Sequence, residues 1–125
     1  MDFISLQMEG KGYEDPNRLD LIEYLRREGR GQPLWICLAE DLGKSRKNRA
    51  QVNLEKINRL TRPRDTVVVA GKVLGDGILD HEVTIACFRI SEQARKKVEQ
   101  ANGSIITIKD LLEKNPKGTK VKILR

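Results

Sequence analysis

Apolar residues recur at helical spacing in the first half of the chain and in short unbroken runs in the second. Leu21, Ile22 and Leu25 form one stripe, with Asp20 and Glu23 early and Arg26 and Arg27 late, the charge order that complements a helix dipole. Asn17 predicts the cap of this helix, with Asp20 three residues on to complete the box, and Gly29 predicts its end. Pro33 suits the first turn of a second helix, in which Leu34, Trp35, Leu38 and Leu42 recur before Gly43. The Trp35 ring is expected as a core anchor. A third helix is predicted from about Ala50 to Leu60. At about 100° per residue, Ala50, Leu54, Ile57 and Leu60 share one side, and Lys56, Arg59 and Arg49 share an arc of roughly 80° on another. Asn53 falls within the apolar arc, which predicts a largely buried amide that hydrogen-bonds neighbouring backbone.

The second half changes period. Thr66-Val-Val-Val-Ala70 is β-branched and continuous, the pattern of a strand covered on both faces. The Gly-rich run Gly71 to Gly77 lacks the spacing of a phosphate-cradling loop and is expected as strand followed by an Asp76-Gly77 turn. Val83–Ile90 is a further strand. Ser91 caps a helix with Ala94, Val98 and Ala101 inward and Arg95, Lys96 and Lys97 outward, ended by Asn102-Gly103. Ser104–Thr107 is a strand, Thr107 with Asp110 opens a short helix that stops before Pro116, and Thr119–Leu124 is a last strand. The class is therefore α/β, a helical N-terminal half followed by alternating strands and helices. Residues 15–125 are expected to form a single domain. Residues 1–14, loosened by Gly10 and Gly12, read as an extension that is ordered only if a partner holds it.

Charge adds a location. Lys44, Arg46, Lys47, Arg49, Lys56, Arg59, Arg62 and Arg64 crowd one stretch whose only acid is Glu55, a net of +7. The chain as a whole is +6, so the rest is close to neutral. Basicity concentrated in this way points to a polyanion, most often nucleic acid; the plainer alternative is a solvated charged face. Aromatics make up only 4% of the chain, too few for a base-stacking platform, so contact with phosphates and recognition of shape are expected.

Other chemistry is thin. Cys37 and Cys87 lie in apolar runs and read as small buried hydrophobes; with a single histidine they cannot complete a four-ligand zinc site. His81 stands between Asp80 and Glu82 without a nucleophile or second ligand nearby, and reads as a surface-turn histidine. No cofactor, metal or small-molecule substrate is expected, and no catalysis. No apolar run is long enough for a membrane span and no signal pattern opens the chain, which places the protein in the cytoplasm.

The segment Glu40-Asp-Leu-Gly-Lys-Ser-Arg-Lys-Asn-Arg-Ala-Gln-Val-Asn-Leu-Glu-Lys-Ile57 resembles the signature of the archaeal and eukaryotic large-subunit ribosomal protein family 18e. Val67–Gly77 and Phe88–Ala94 resemble that family too, which is related to bacterial large-subunit protein fifteen. The resemblance spans about Asp15 to Arg125; the first dozen residues have no counterpart in it. It implies a structural protein of the large subunit in the cytoplasmic ribosome, bound to rRNA and neighbouring ribosomal proteins. The fold it implies is an irregular superhelix of β-β-α turns, and the short length resembles archaeal members. The signature block Leu42–Lys56 places Ser45, Arg46, Arg49, Asn53 and Lys56 at fixed positions. The combined set of expected RNA contacts is Lys44, Arg46, Lys47, Asn48, Arg49, Lys56, Arg59, Arg62, Arg64 and Lys72. Two other classes compete: a helix-turn-helix DNA-binding regulator made from the three N-terminal helices, and a small enzyme, for which no nucleophile–base pair is in view.

Overall fold

A computed structural model of the chain describes residues 16–45, 47 and 49–125. Its elements in order are α1 (Pro16–Glu28), α2 (Pro33–Leu42), β1 (Ala50–Asn53), α3 (Leu54–Leu60), β2 (Asp65–Leu74), β3 (Val83–Ile90), α4 (Glu92–Gln100), β4 (Ser104–Thr107), α5 (Ile108–Lys114) and β5 (Val121–Ile123). The strands form one sheet in the order β1-β2-β3-β4, and β5 also pairs with β2. Every pairing is parallel. β5 takes the first half of the β2 edge (Thr66 opposite Val121) and β1 the second half (Ala50 opposite Gly71).

Parallel sheets need both faces covered, and the side-chain alternation of β2 shows how this happens. Val67, Val69 and Val73 join Leu54 and Ile57 of α3 and Ala94 and Val98 of α4 in one cluster. Val68 and Ala70 turn the other way, into a second cluster with Trp35 and Leu38 of α2, Leu25 of α1, and Ile108 and Leu111 of α5. The β-branched run of β2 is thus the shared wall of two cores. The residues expected inside (Trp35, Leu38, Leu54, Ile57, Val68, Ile85 and Val98) are all fully buried. The Trp35 indole N–H donates to the Pro116 carbonyl at 2.7 Å, so the buried donor is satisfied.

The caps follow the sequence in the second half. Ser91 Oγ accepts from the Ala94 N–H and Thr107 Oγ1 from the Asp110 N–H. At the end of α4, Asn102 takes φ 63°, while Gly103 N–H reaches Val98 O and Asn102 N–H reaches Glu99 O. That pair of bonds is a Schellman closure.

Several expectations change. The third helix does not start at Ala50: Ala50–Asn53 is a strand, and α3 spans only Leu54–Leu60. The strand forms because β2 offers an edge at Gly71, where a Cβ would lie 2.1 Å from the Ala50 carbonyl oxygen. Leu60 consequently sits 40% exposed rather than on the inner side. Asn17 lies inside the first turn of α1, which already includes Pro16, rather than at its cap. At Asp76-Gly77 the chain leaves β2 for a loop, and β3 then runs parallel to β2; Gly77 takes φ 95° and packs against the Glu55 backbone. His81 is not a surface-turn residue: its side chain is 13% exposed, and it meets Thr61 Oγ1 at 2.8 Å and Asp80 Oδ1 at 2.9 Å.

Candidate nucleic-acid interface

The basic segment leaves α2 at Gly43 and enters β1 at Ala50, so a short loop is held at both ends by regular structure. Asp41, in the last turn of α2, would ordinarily be disfavoured beside the negative end of the helix dipole. Its buried carboxylate is matched instead by two cations, Lys44 Nζ at 3.2 Å and Arg125 Nε at 2.8 Å. The hydrogen bond and charge of Asp41 push the Arg125 pKa up, so the guanidinium stays charged. A third cation reaches the same helix end from α1, where Arg18 is buried and donates from Nη1 to the Leu42 carbonyl at 2.6 Å. The loop therefore starts from a braced point.

Lys44, Ser45 and Lys47 are exposed and Arg49 is half-buried. Arg46 and Asn48, both expected contacts, lie outside the described residues. Arg49 directly precedes the first residue of β1.

The later cations are differently placed. With α3 starting at Leu54, the predicted arc of Arg49, Lys56 and Arg59 does not form: Arg49 precedes a strand, and only Lys56 and Arg59 lie on the helix. Lys56 donates from Nζ to the Arg125 carbonyl. Arg59 pairs with Glu55 at 3.2 Å one turn back. Arg62 gives its backbone N–H to Asp65 Oδ2 at 2.9 Å, leaving its side chain exposed. Arg64 pairs with Glu82 at 3.2 Å yet remains 85% exposed, a contact worth little in water. Lys72 lies half-buried on β2, opposite Gln51 of β1 and Arg89 of β3.

Asn53 is half-buried rather than buried, and its role is as expected: Oδ1 accepts from the Asp76 N–H at 3.2 Å. The 75–80 loop is sewn to α3 a second time by Asn58 Oδ1, which accepts from Asp80 N–H at 3.1 Å. α4 holds it from the other side, because Lys97 Nζ donates to the Gly75 and Gly77 carbonyls at 2.7 and 2.8 Å. Lys97 is thus a loop brace and does not face out with Lys96 in a second basic patch; Arg95 is half-buried as well. Sequence reasoning missed Asp41 and Arg125 because their contact joins positions far apart in the chain. An acid in the last turn of α2 was the one local signal. Cys87 is buried as expected, and burial pushes its thiol up to about 12. Cys37 is half-buried, with its sulfur against Arg125 Nη2.

The described helices α1, α2 and α3 do not form a helix-turn-helix unit. α3 packs on one face of the sheet, and α1 and α2 pack on the other. Among the described residues no group of three or more His, Cys, Asp or Glu is placed to hold a metal ion. No described helix is long and apolar enough to cross a membrane.

Residues 20–125 match the family model described as ribosomal protein 60S L18 and 50S L18e. Curated relatives carry the name large ribosomal subunit protein eL18. The protein of Methanospirillum hungatei is 42% identical over 113 residues, covering 89% of this chain and 93% of the relative. That of Methanoregula boonei is 43% identical over 109 residues, covering 87% and 89%. That of Methanothermobacter thermautotrophicus is 40% identical over 112 residues, covering 88% and 93%. With a match across almost the whole length of both chains, this protein belongs to the ribosomal protein L18/L18e family.

Proposed function

We propose that the protein is a structural constituent of the large ribosomal subunit and binds rRNA through the basic segment 44–64. The observation that carries this reading is the placement of the Lys44–Arg49 loop. It is braced at α2 through Asp41, tied to the sheet through β1, and exposed at Lys44 and Lys47 between them. A loop fixed at both ends presents cations at little further entropic cost, and phosphate contact needs cations more than shape-matched base readers. The membership in a ribosomal family supplies the polyanion: rRNA. The relatives' name supports assembly into the large subunit, alongside neighbouring ribosomal proteins. Arg46 and Asn48 belong to the proposed contact set, as do Lys56, Arg59, Arg62, Arg64 and Lys72. The role is architectural: the chain contributes bound charge and a rigid body, and performs no catalysis.

The test is competition binding of the full chain to purified large-subunit rRNA, with duplex DNA of equal nucleotide concentration as competitor. Preferential retention on rRNA, weakening steeply with salt as counterions are released, is expected. Equal displacement by duplex DNA would refute the rRNA reading.

A further inference from the structure

We propose that Gln51, Lys72 and Arg89 form a second RNA-backbone contact, a polar row running across three strands and continuing the basic loop onto the sheet. The proposal rests on the rRNA-binding reading and adds Gln51 and Arg89 to it. The three residues stand in register: Gln51 opposite Lys72, and Lys72 opposite Arg89. Their successors Val52, Val73 and Ile90 are also in register and all enter the core beneath α3 and α4. Alternation along β1 and β2 then directs Gln51 and Lys72 to the opposite face. β3 is irregular here, with Cys87 and Ile90 in one cluster and Phe88 against the other, and a ring contact puts Arg89 on the Phe88 side. The Arg89 guanidinium lies 5.1 Å from the centroid of the Phe88 ring, and Phe88 packs against the cluster on that opposite face.

Helices α1, α2 and α5 cover this face over Val68, Ala70 and Ala86, towards the start of the strands. The row lies further along. Gln51 is exposed, and Lys72 and Arg89 are half-buried. β1 is the edge strand here, and it follows directly from Arg49.

Lys72 and Arg89 stand side by side on neighbouring strands. Strands about 4.8 Å apart place both heads within reach of a single phosphate group. A phosphodiester can take both heads in a two-point clamp. The Arg89 fork can bond two phosphate oxygens, and its position over Phe88 orients it in advance. Lys72 adds a point charge and the Gln51 amide a neutral donor. Charge complementarity selects a polyanionic backbone here, and the continuity of the row with the Lys44–Arg49 loop selects the same RNA strand or its neighbour.

The test compares wild type, the double variant Lys72→Gln/Arg89→Gln, Arg89→Lys, and the loop variant Arg46→Ala/Lys47→Ala/Arg49→Ala, all as full chains binding purified large-subunit rRNA over a salt series. The double variant should lower affinity about tenfold and reduce the salt slope by one to two units, on the scale of about one unit per phosphate contact. Arg89→Lys should keep the slope and lose part of the affinity, since it keeps the charge and loses the fork. Wild-type slope and affinity in the double variant, with the loop variant weakened, would overturn the row while leaving the rRNA reading intact. Failure of the wild-type chain to bind would overturn both. Lys72 reactivity towards an acetylating reagent gives a readout independent of folding in the variants. Protection of Lys72 in the rRNA complex is expected, and equal labelling free and bound overturns the proposal.

Discussion

The two halves of the basic segment, Lys44–Arg49 and Lys56–Arg64, look alike in composition and differ in what the fold does with them. In the second half three of the cations have partners in the protein, although the Arg64 contact is a weak, exposed one and the Arg62 side chain is exposed. Lys56 holds the Arg125 carbonyl, Arg59 pairs with Glu55 and Arg64 with Glu82. In the first half the pairing with Asp41 fixes where the loop begins, and Lys47 stands exposed beyond it. A net charge of +7 counts both halves equally. Geometry does not: a cation already paired must give up a partner, or share it, to meet a phosphate, and so contributes less to binding. The difference predicts unequal effects from equal losses of charge.

The largest effect should come from detaching the first half from its frame. Gly71→Ala would place a Cβ against the Ala50 carbonyl, so β1 must shift away from β2. A loss of about 1–3 kcal/mol is expected from this overpacking, read as an earlier thermal midpoint, together with weaker rRNA binding. Unchanged stability would show that β1 is not fixed by that close approach.

Asn53→Leu acts on the opposite end of β1. It removes the acceptor of the Asp76 N–H and should destabilise the chain by about 1–3 kcal/mol. Because the amide is half-buried, the lower end of that range is expected, with hydrogen exchange at Asp76 rising first. An unperturbed melt with unperturbed exchange would remove the structural role and point Asn53 towards RNA.

Asp41→Asn sharpens the comparison from the acidic side. It keeps the shape, weakens the hold on Lys44 and Arg125, and frees the start of the loop. The expected result is about 1 kcal/mol of stability lost, with rRNA affinity lowered even though the net charge becomes more positive. Higher affinity in Asp41→Asn would mean that charge alone governs binding.

The smallest effect concerns Asp65, beside the second half. The Arg62 backbone N–H, then Lys122, hold its carboxyl below the usual carboxylate range. A depressed folded pKa gives a contribution that is fully present above the unfolded value near 3.9 and is lost as pH falls through the folded pKa. Lys122→Ala should move the Asp65 carboxyl titration upward in an NMR series, with little change in the neutral-pH melt. A titration that stays in place would show that Lys122 does not act on that carboxyl.

How much of this was legible in the sequence depends on range. Val83–Ile90 and Ser104–Thr107 were readable to the residue, and so were the Ser91 and Thr107 caps, because alternation, β-branching and capping act within a few positions. β1 was not. Gln51-Val-Asn53 is too short to outvote a helical period, and its strand character is supplied by β2 through Gly71. Of the candidate interface, the location of the charge was legible and its state was not. Asp41, Arg125, Lys97 and Glu82 each settle a cation or a loop across a long sequence gap, and no local pattern announces such pairs.

The central claim is that the Lys44–Arg49 end of the segment meets the RNA more directly than the Lys56–Arg64 end. The measurement is the salt dependence of binding to purified large-subunit rRNA for two triple variants, Arg46→Ala/Lys47→Ala/Arg49→Ala and Arg59→Ala/Arg62→Ala/Arg64→Ala. The reference is a third triple at the exposed residues Lys96, Lys114 and Lys117; Lys97 is unsuitable because it braces the 75–80 loop. The loop triple should shrink the slope by about two to three units, the second triple by about one, and the reference by less, with all three melting close to wild type. Equal slopes in all three variants would reduce the interaction to net charge, and a wild-type slope in the loop triple would contradict the account outright.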